Sequence, residues 1–484
     1  MIIDLDTATK NVKTADYDVC ICGAGAAGIT LAVYLARAGK KVALLEAGGF
    51  EYSDQSYDCY KGKNTGMEYW GLDTCRLRYL GGTTNHWSGR CKPLDEVDFM
   101  ERDFFELPGW PIQKSDLANY EAEAKSVVDI SGDFTAADIS NWTSGKFIPD
   151  RYAISAPTRF GDKYRAEIEV SGNISLFINA NLIDVRLNKE LTSVTELVVM
   201  DYGKKRFTFT GKNIVIALGA IENARMLLNC DTQLKGGIGN QSDFVGRCFM
   251  EHYNINYGFF SGNPKYWKNM KKGLSLYTDS QFSLEHKIGN GNVSMSISPA
   301  PPTGGGRSKE LRKYIRNNVC KWDEITELSR KFVDFQCPGD GILGTLMEQS
   351  PNKNSRVSLD KETDSFGLRR VNLSWQMNEL DKRTIRTIGI ELAKEFARQD
   401  YGRVQLASYI LDENAKIPVG YHCHSIGTTR MSKSPEYGVV DKDCKVFGID
   451  NLYIGGSSVF STGGGTNPTF TIVELALRLA KHLS

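Results

Sequence analysis

The chain has 484 residues, 41% hydrophobic and 24% charged, which is ordinary for a globular protein of roughly two to four domains. Its formal net charge of +1 gives no electrostatic reason to expect nucleic acid or an anionic membrane as a partner. No apolar run approaches the roughly 20 residues that a membrane-spanning helix needs, and the first residues lack the basic and apolar regions of a signal peptide. The eleven cysteines contain no CxxC pair, so a reducing cytoplasm is the predicted location.

The first predicted unit is a strand, a glycine turn and a helix. The apolar run DVCIC predicts a buried strand, and Gly23, Gly25 and Gly28 follow it in GxGxxG spacing. Residues 27–39 have the apolar periodicity of a helix that ends at a glycine. The run KVALLE predicts a second buried strand, which ends in Glu46 about 20 residues after the glycine turn. This βαβ context is typical of a dinucleotide-binding unit.

Each part of this unit has a separate physical role. Gly23 permits the tight turn, Gly25 lets the backbone approach a pyrophosphate, and Gly28 lets the helix pack closely on the strand. The helix N-terminus offers free N–H groups to phosphates, and Glu46 is placed to accept hydrogen bonds from ribose hydroxyls. The predicted contacts are Gly23, Gly25, Ala26, Ala27, Gly28, Glu46 and Ala47. FAD is favoured over NAD because the chain contains no second GxGxxG for a nicotinamide domain.

Strands follow in the middle of the chain, and a strand–helix unit lies at its end. Three β-prone runs between residues 173 and 219 alternate in the manner of a β-meander. The run NLYIGG predicts a short buried strand that ends in glycines. After a glycine-rich turn, NPTFTIVELALRLAKHL predicts an amphipathic helix with Pro468 in its first turn. A helix N-terminus behind a flexible loop suits an electron-rich group such as the pyrimidine end of a flavin.

Four blocks carry a resemblance to a known family. They read GGTTNHWSG (81–89), ALGAIENARMLL (217–228), HSIGTTRM (424–431) and TNPTFT (466–471). In order and spacing, they resemble the glucose–methanol–choline (GMC) oxidoreductases. The NPT ending is more similar to the subgroup of pyranose oxidase and bacterial sugar dehydrogenases than to glucose oxidase.

The resemblance implies an α/β fold with a Rossmann-like FAD-binding domain (GMC and PHBH-like) assembled from discontinuous segments, and an inserted α+β substrate-binding domain. The expected divisions are 1–100, first part of the FAD domain; 101–170, linker or lid and part of the substrate domain; 171–255, second part of the FAD domain; 256–414, substrate domain; and 415–484, third part of the FAD domain. The loop-like stretch 299–306 and a helical run at 308–319 fall in the substrate domain.

The resemblance also implies the catalytic pair. In the family, a histidine in an HxxGT-like motif removes the hydroxyl proton of an alcohol while a hydride passes to flavin N5, and this histidine corresponds to His424. Its partner corresponds to Asn467, which can donate a hydrogen bond but cannot take the proton. The competing interpretation of His424 is a satisfied core histidine. His422, two residues upstream on a predicted extended strand, would point to the same side and could touch substrate, orient His424 or simply pack.

No metal site is predicted at His422–His424. The tripeptide HCH offers three donors in a row, but adjacent side chains on a strand face opposite ways and no second Cys/His cluster exists in the sequence. His252, in the family-like block VGRCFMEH, is predicted to be structural, holding the inserted domain against the FAD domain.

The remaining cofactor contacts follow from the resemblance. They are Gly81, Gly82, Thr83, Asn85, His86, Trp87, Ser88, Leu182, Gly219, Gly456, Ser457, Asn467, Pro468 and Thr469. His86 matches the histidine that is covalently attached to the flavin in pyranose oxidase, yet Asn85 and the SGRC that follows differ from that enzyme's pattern. Non-covalent FAD is therefore expected, with covalent attachment through His86 as the alternative.

The resulting functional hypothesis is an FAD-dependent oxidase or dehydrogenase. It would oxidise a CH–OH group of a sugar, glycoside or aminosugar and pass electrons to oxygen or to a quinone, cytochrome or other protein. The alternatives are a lyase of the hydroxynitrile-lyase type, which uses FAD without net redox chemistry, and a redox-inert binding subunit.

Overall fold

A computed structural model describes residues 1–8, 12–136, 142–267, 274–297 and 340–484 of the chain. The predictions for residues 299–306 and 308–319 lie outside these residues. The described strands are β1 (Ile2–Asp4), β2 (Tyr17–Cys22), β3 (Val42–Leu45), β4 (Gly62–Asn64), β5 (Arg90–Cys91), β6 (Thr135–Ala136), β7 (Phe147–Pro149), β8 (Arg151–Ile154), β9 (Ile174–Ile178), β10 (Asn181–Leu187), β11 (Val194–Met200), β12 (Arg206–Phe209), β13 (Gly211–Ile216), β14 (His252–Asn254), β15 (Gly258–Gly262), β16 (Leu274–Thr278), β17 (Gly291–Ile297), β18 (Asp340–Glu348), β19 (Arg356–Thr363), β20 (Arg369–Ser374), β21 (Gly402–Leu406), β22 (Gly420–Tyr421) and β23 (Leu452–Ile454).

The described helices are α1 (Ala26–Arg37), α2 (Asp54–Asp58), α3 (Glu96–Phe99), α4 (Ser115–Ala118), α5 (Glu121–Val127), α6 (Phe160–Val170), α7 (Ala220–Asn229), α8 (Pro264–Trp267), α9 (Ser280–Glu285), α10 (Glu379–Arg398), α11 (Ser408–Leu411) and α12 (Thr469–Leu483). Short 3₁₀ turns cover Gly82–Asn85 and Ser457–Val459. None of the helices within these described ranges is long and apolar enough to cross a membrane.

A six-stranded parallel sheet forms the centre of the first domain. Its order is β1-β9-β3-β2-β13-β23, so it joins segments from the start, middle and end of the chain. Helix α1 connects β2 to β3 and packs against α6 and α12. The strands β2 and β3 are apolar and buried on both faces, as expected of a parallel sheet covered by helices. The FAD-domain fold that the sequence predicts is confirmed.

Two smaller features complete this domain. Strands β10, β11 and β12 form the predicted antiparallel meander. The run at 173–178 differs from that prediction, because β9 joins the parallel sheet instead of the meander. Its register places Phe177 beside Leu45 in the core, where both side chains are almost completely buried.

An antiparallel sheet of eight strands forms the second domain. Its main path is β21-β15-β18-β17-β16-β7, and β14 pairs with both β18 and β22. Helix α10 packs against this sheet, with its N-terminus closed by a capping box between Asn378 and Asp381. The pairing of β14 with β18 and β22 brings His252 and the residues after Tyr421 to one sheet edge. The candidate site lies at this edge. The domain boundaries given above stay predictions.

Candidate active site

One cavity of about 590 Å³ lies at the carboxyl ends of β2, β3 and β13, the usual ligand position in an open α/β sheet. It is lined by residues from all the predicted motifs. Of the predicted cofactor residues, those in the lining are Gly23, Gly25, Ala26, Ala27, Glu46, Ala47, Gly82, Thr83, His86, Trp87, Ser88, Leu182, Gly219, Gly456, Ser457, Asn467, Pro468 and Thr469. The predicted catalytic residue His424 and its neighbour His422 lie in the same lining.

The three fingerprint glycines differ in the space around their Cα atoms. A Cβ atom on Gly23 would lie 2.4 Å from the Ala217 carbonyl oxygen, and one on Gly28 would lie 1.8 Å from the Gly23 oxygen. Both positions therefore exclude a side chain for packing reasons. A Cβ on Gly25 would meet nothing within 4 Å. Because α1 begins at Ala26 and no side chain caps it, its first N–H groups are free to bind an anion at the open Gly25 cradle.

Glu46 follows β3, and its carboxylate is 5% exposed. It accepts hydrogen bonds from the Ala24 N–H at 2.9 Å and the Gly48 N–H at 3.0 Å. Burial raises the pKa of this carboxyl group, against the opposing effect of these two bonds. A carboxylate has about four lone-pair positions, so Glu46 keeps acceptor capacity for ribose hydroxyls. The cavity, the glycine cradle and this carboxylate together fit FAD.

Three predicted cofactor residues, Gly28, Gly81 and Asn85, lie outside the cavity lining, and their contact with the cofactor stays a prediction. Gly28 packs α1 against the turn after β2. Gly81, with φ at +92°, donates its N–H to the Ala24 oxygen at 2.9 Å and so ties the 81–89 loop to the fingerprint. Asn85 donates its side-chain amide to the Leu80 oxygen at 2.9 Å, which turns it away from the cavity. All three residues contact the backbone of residues in or next to the lining and so help to hold it in place.

The end of the cavity near Glu46, away from His424, is lined by residues that no motif predicted. Arg78 donates to the Tyr202 hydroxyl at 2.9 Å and to Ser56 Oγ at 3.2 Å, and its guanidinium lines the cavity. The turn between β19 and β20, residues 364–368, also reaches the lining. The buried ion pair between Arg225 and Asp364, at 2.6 Å, holds this turn in place. These contacts join segments far apart in the chain, so a local sequence pattern could not predict them.

Two histidines and one asparagine form a series of hydrogen bonds at the other end of the cavity. His424 Nε2 lies 3.2 Å from Asn467 Nδ2, and His424 Nδ1 lies 3.1 Å from His252 Nδ1. His252 Nε2 lies 2.9 Å from the Gly464 oxygen and 3.2 Å from the Gly463 oxygen. The predicted pairing of His424 with Asn467 is therefore present. His252, predicted to be only structural, in fact contacts the candidate base directly.

These hydrogen bonds define the tautomers of His252 and His424. Carbonyl oxygens only accept, so His252 Nε2 must carry its proton and His252 Nδ1 must be the acceptor. His424 Nδ1–H then donates to it, which leaves the lone pair of His424 on Nε2. The Asn467 amide donates to that lone pair. An alcohol that replaced this bond would find an acceptor at Nε2 and a donor at Asn467.

The protein environment keeps these rings neutral. Burial, together with the charge of His422, lowers the pKa of His252 to about 4. Burial and the charges of His252 and His422 lower the pKa of His424 well below 6.5. Both rings are therefore free bases at neutral pH, in the protonation state that a general base requires.

His422 stacks on His424, with ring centres 5.6 Å apart and planes 22° apart. The prediction that both point to the same side is confirmed, but the backbone is not an extended strand: Cys423 between them has φ at +58°. The His422 Nε2–H donates to the Thr345 oxygen at 3.2 Å, which leaves its Nδ1 as an acceptor. No cluster of three potential metal ligands occurs within the described ranges of the chain.

A buried carboxylate holds the backbone of both central histidines. Glu251 Oε2 accepts the His424 N–H at 2.9 Å and the His252 N–H at 3.2 Å. Its other oxygen accepts the Tyr69 hydroxyl at 2.6 Å, and burial raises the pKa of Glu251 to about 7. Glu251 thereby couples the position of one histidine to that of the other.

A second buried carboxylate supports the loop that carries Asn467. Glu348 forms a two-point ion pair with Arg102 at 2.7 Å for both contacts, and the two side chains are 0% and 1% exposed. Glu348 Oε1 also accepts the Gly464 N–H at 3.2 Å. The Gly465 N–H donates to the Tyr277 hydroxyl at 3.0 Å. The glycine loop before α12 is thus held to the second domain through the N–H groups of Gly464 and Gly465.

Comparisons with known proteins agree with this geometry. A family model described as "FAD dependent oxidoreductase" matches residues 18–227, and one described as "GMC oxidoreductase" matches residues 351–476. The fold and cavity therefore define an FAD-dependent oxidoreductase. The first matched range holds the dinucleotide fingerprint and the second holds the His424–Asn467 pair, so the chain combines an FAD-dependent oxidoreductase domain with a segment that matches the GMC oxidoreductases.

The relatives are distant in sequence. The 2-methyl-1,2-propanediol dehydrogenase of Mycolicibacterium austroafricanum is 24% identical, over 96% of this chain and 95% of the relative. The fructose dehydrogenase large subunit of Gluconobacter japonicus is 24% identical over 59% of this chain, and the match covers 50% of the subunit. Among solved structures, pyridoxine 4-oxidase from Mesorbium loti has a TM-score of 0.57 at 15% identity, over 96% of this chain and 99% of that one. The last similarity concerns the fold alone.

Proposed function

We propose that this protein oxidises a CH–OH group of a sugar or related polyol to a carbonyl, with His424 as the base. The observation that carries the proposal is the neutral imidazole of His424, whose Nε2 lone pair meets the Asn467 amide inside the cavity. Nε2 and Nδ2 lie 3.2 Å apart, so one hydroxyl placed beside both atoms could give its proton to Nε2 and accept a hydrogen bond from the amide.

Each residue has a separate task in the proposed reaction. His424 Nε2 takes the hydroxyl proton, and Asn467 Nδ2–H holds the same oxygen so that the carbinol C–H faces the cofactor. His252 keeps the proton of His424 on Nδ1, on the side away from the substrate. When bound, FAD supplies the hydride acceptor, and the negative charge it gains stabilises a protonated histidine nearby. Burial in the cavity strengthens these interactions because it excludes water.

The substrate class rests on the relatives together with the polar site. A vicinal diol and a ketohexose both carry hydroxyls next to the carbinol carbon, and their dehydrogenases are similar to this chain. His422 Nδ1 is an additional acceptor beside His424 that could bind a neighbouring hydroxyl. Sugars, glycosides and aminosugars are therefore the proposed substrates, and oxygen, a quinone, a cytochrome or another protein the electron acceptor.

Two further features belong to the proposal. His86 lines the cavity, so FAD could be attached covalently through His86. The mass of the denatured protein, with or without the added mass of FAD, tests this.

The nine cysteines in the described part of the chain are all free thiols, which supports a reducing compartment such as the cytoplasm.

The test is anaerobic reduction of the FAD-loaded protein by a panel of sugars, glycosides, aminosugars and diols, followed by NMR of the product. Bleaching of the flavin by at least one member supports the proposal. A flavin that stays oxidised while a substrate is cleaved would point instead to a lyase, and no response to any member would overturn the proposal. His424→Ala should slow bleaching by several orders of magnitude. The matched control is His286→Ala, because His286 is exposed and outside the cavity.

A further inference from the structure

Three arginines line the end of the cavity that lies away from the histidines, and one of them has no counter-charge. Arg76 forms an ion pair with Glu222 at 2.9 Å, and Arg225 forms ion pairs with Glu222 at 3.1 Å and with Asp364 at 2.6 Å. In the part of the chain that the structure describes, Arg78 forms no ion pair and donates only to two neutral hydroxyls. Its charge is therefore open to a ligand in the cavity.

Those two hydroxyl groups hold one side of the Arg78 guanidinium. Its Nη1 donates to the Tyr202 hydroxyl at 2.9 Å and to Ser56 Oγ at 3.2 Å. Both hydroxyls donate their own protons to carbonyl oxygens, Tyr202 to that of Ala47 at 3.0 Å and Ser56 to that of Arg78 at 2.9 Å, so each can only accept from Nη1. The N–H groups on Nε and Nη2 donate to no atom of the described residues, so they are available to a ligand.

Arg78 lies in a loop that contacts both halves of the dinucleotide fingerprint. A Cβ atom on Gly82, in the same loop, would lie 3.2 Å from the Gly25 Cα atom, next to the start of α1. A Cβ atom on Gly48, two residues after Glu46, would lie 2.0 Å from the Arg78 oxygen. Burial raises the pKa of the Glu46 carboxyl group, and the charge of Arg78 is among the effects that oppose this rise. The guanidinium thus belongs to the part of the cavity between the phosphate cradle and the ribose acceptor.

The charge of Arg78 restricts which part of a cofactor can bind beside it. A bound dinucleotide displaces water from the cavity, and a charge that loses its water without gaining a counter-charge is strongly destabilised. The negative charges of FAD are on its pyrophosphate. A guanidinium binds phosphate oxygens through two parallel N–H groups, and Nε and Nη2 of Arg78 are such a pair. Phosphate is therefore the group of the cofactor that fits this position.

We infer that Arg78 is the cationic phosphate-binding residue of the FAD site, where its Nε and Nη2 groups bind the pyrophosphate together with the first N–H groups of α1. Arg78 then governs how tightly FAD is held and takes no part in hydride or proton transfer. The inference goes beyond the proposed alcohol oxidation, and its tests do not depend on that reaction.

The first test measures the rate at which diluted holoenzyme releases FAD, with the free cofactor separated by ultrafiltration. Arg78→Gln keeps an N–H donor but loses the charge, and it should release FAD roughly 10- to 100-fold faster than wild type. Arg78→Lys keeps the charge and should release FAD more slowly than Arg78→Gln. The matched control is Arg186→Gln, because the Arg186 side chain is 52% exposed and lies outside the cavity lining. Release from Arg78→Gln at the wild-type rate, or equally fast release from the Lys and Gln variants, overturns the inference.

The second test separates cofactor binding from a structural role through the melting temperature of the full chain with and without FAD. Because Arg78 has no ion-pair partner in the described part of the chain, Arg78→Gln should lower the melting temperature of the holoenzyme and leave that of the FAD-free chain unchanged or higher. Arg76→Gln provides the contrast, because it removes one partner of Glu222 and should lower both melting temperatures. An equal fall in both states for Arg78→Gln would assign Arg78 a structural role and overturn the inference.

Discussion

The contact between His252 and His424 leads to a prediction about the tautomer of the base. Gln at position 252 places its amide nitrogen near the former Nε2 and keeps a donor for Gly464, but it removes the acceptor at Nδ1. Asn places its amide near the former Nδ1 and keeps an acceptor for His424. His252→Gln should therefore disturb the base, whereas His252→Asn serves as the matched control that preserves its hydrogen bond.

The size of the effect follows from the burial of this contact. His252 is 0% exposed, and a buried donor left without a partner costs about 1–3 kcal/mol. The Gln variant can avoid that cost by moving the His424 proton from Nδ1 to Nε2, where it blocks the base. Flavin reduction by a responsive alcohol should then be roughly 5- to 150-fold slower, with little change in the substrate concentration for half-maximal rate.

Stopped-flow bleaching of the flavin under anaerobic conditions measures this rate for wild type and both variants. The substrate dependence separates a loss in the reaction step from a loss in binding. Equal rates for wild type and His252→Gln would refute the tautomer assignment. Equal losses in the Gln and Asn variants would instead assign His252 a packing role only.

Three other predictions concern pH, buried charge and the cofactor cradle. Burial lowers the pKa of His424 well below 6.5. The rate of flavin reduction should therefore be constant above pH 6.5 and fall only at lower pH, where the base becomes protonated. A fall in rate centred at or above pH 6.5 contradicts this. Arg102→Met leaves the buried Glu348 without its ion-pair partner, so the free energy of unfolding measured in denaturant should fall by about 3–5 kcal/mol. An unchanged denaturation midpoint contradicts this. Gly25→Val should give an apoprotein with a normal melting temperature that does not retain FAD on gel filtration, because its side chain would fill the open cradle. Gly28→Val should not fold, because its side chain would clash with the Gly23 oxygen. Retention of FAD by the Gly25 variant would refute the open cradle.

Local patterns predicted what depends on local geometry. The strand–turn–helix around Gly23 and a helix end at Gly39 follow from residue spacing. The structure confirms the unit, with α1 ending at Arg37 and Gly39 following at φ +82°. The same holds for the helix after Pro468. The pairing of His424 with Asn467 came from the family resemblance, because residue spacing alone does not bring two distant segments together.

Contacts between distant segments escaped prediction. His252 reaches His424 only because β14 lies between β18 and β22, and nothing in the sequence near either residue records that pairing. The hydrogen bond from the Asn85 amide to the Leu80 carbonyl also escaped prediction, because a motif position does not reveal which way a side chain turns.

The order of the parallel sheet also affects how the chain can fold during synthesis. Strand β23 pairs with β13, and α12 packs on α1, so the sheet's last strand and one of its covering helices leave the ribosome after every other part of that domain. Until then, β13 presents an unpaired and largely apolar edge, the kind of edge that promotes aggregation. Until then the chain also lacks Asn467 and the loop whose carbonyls accept the hydrogen bond from His252 Nε2–H. Productive loading of FAD is therefore expected only after β23 and α12 have been synthesised and have joined the sheet.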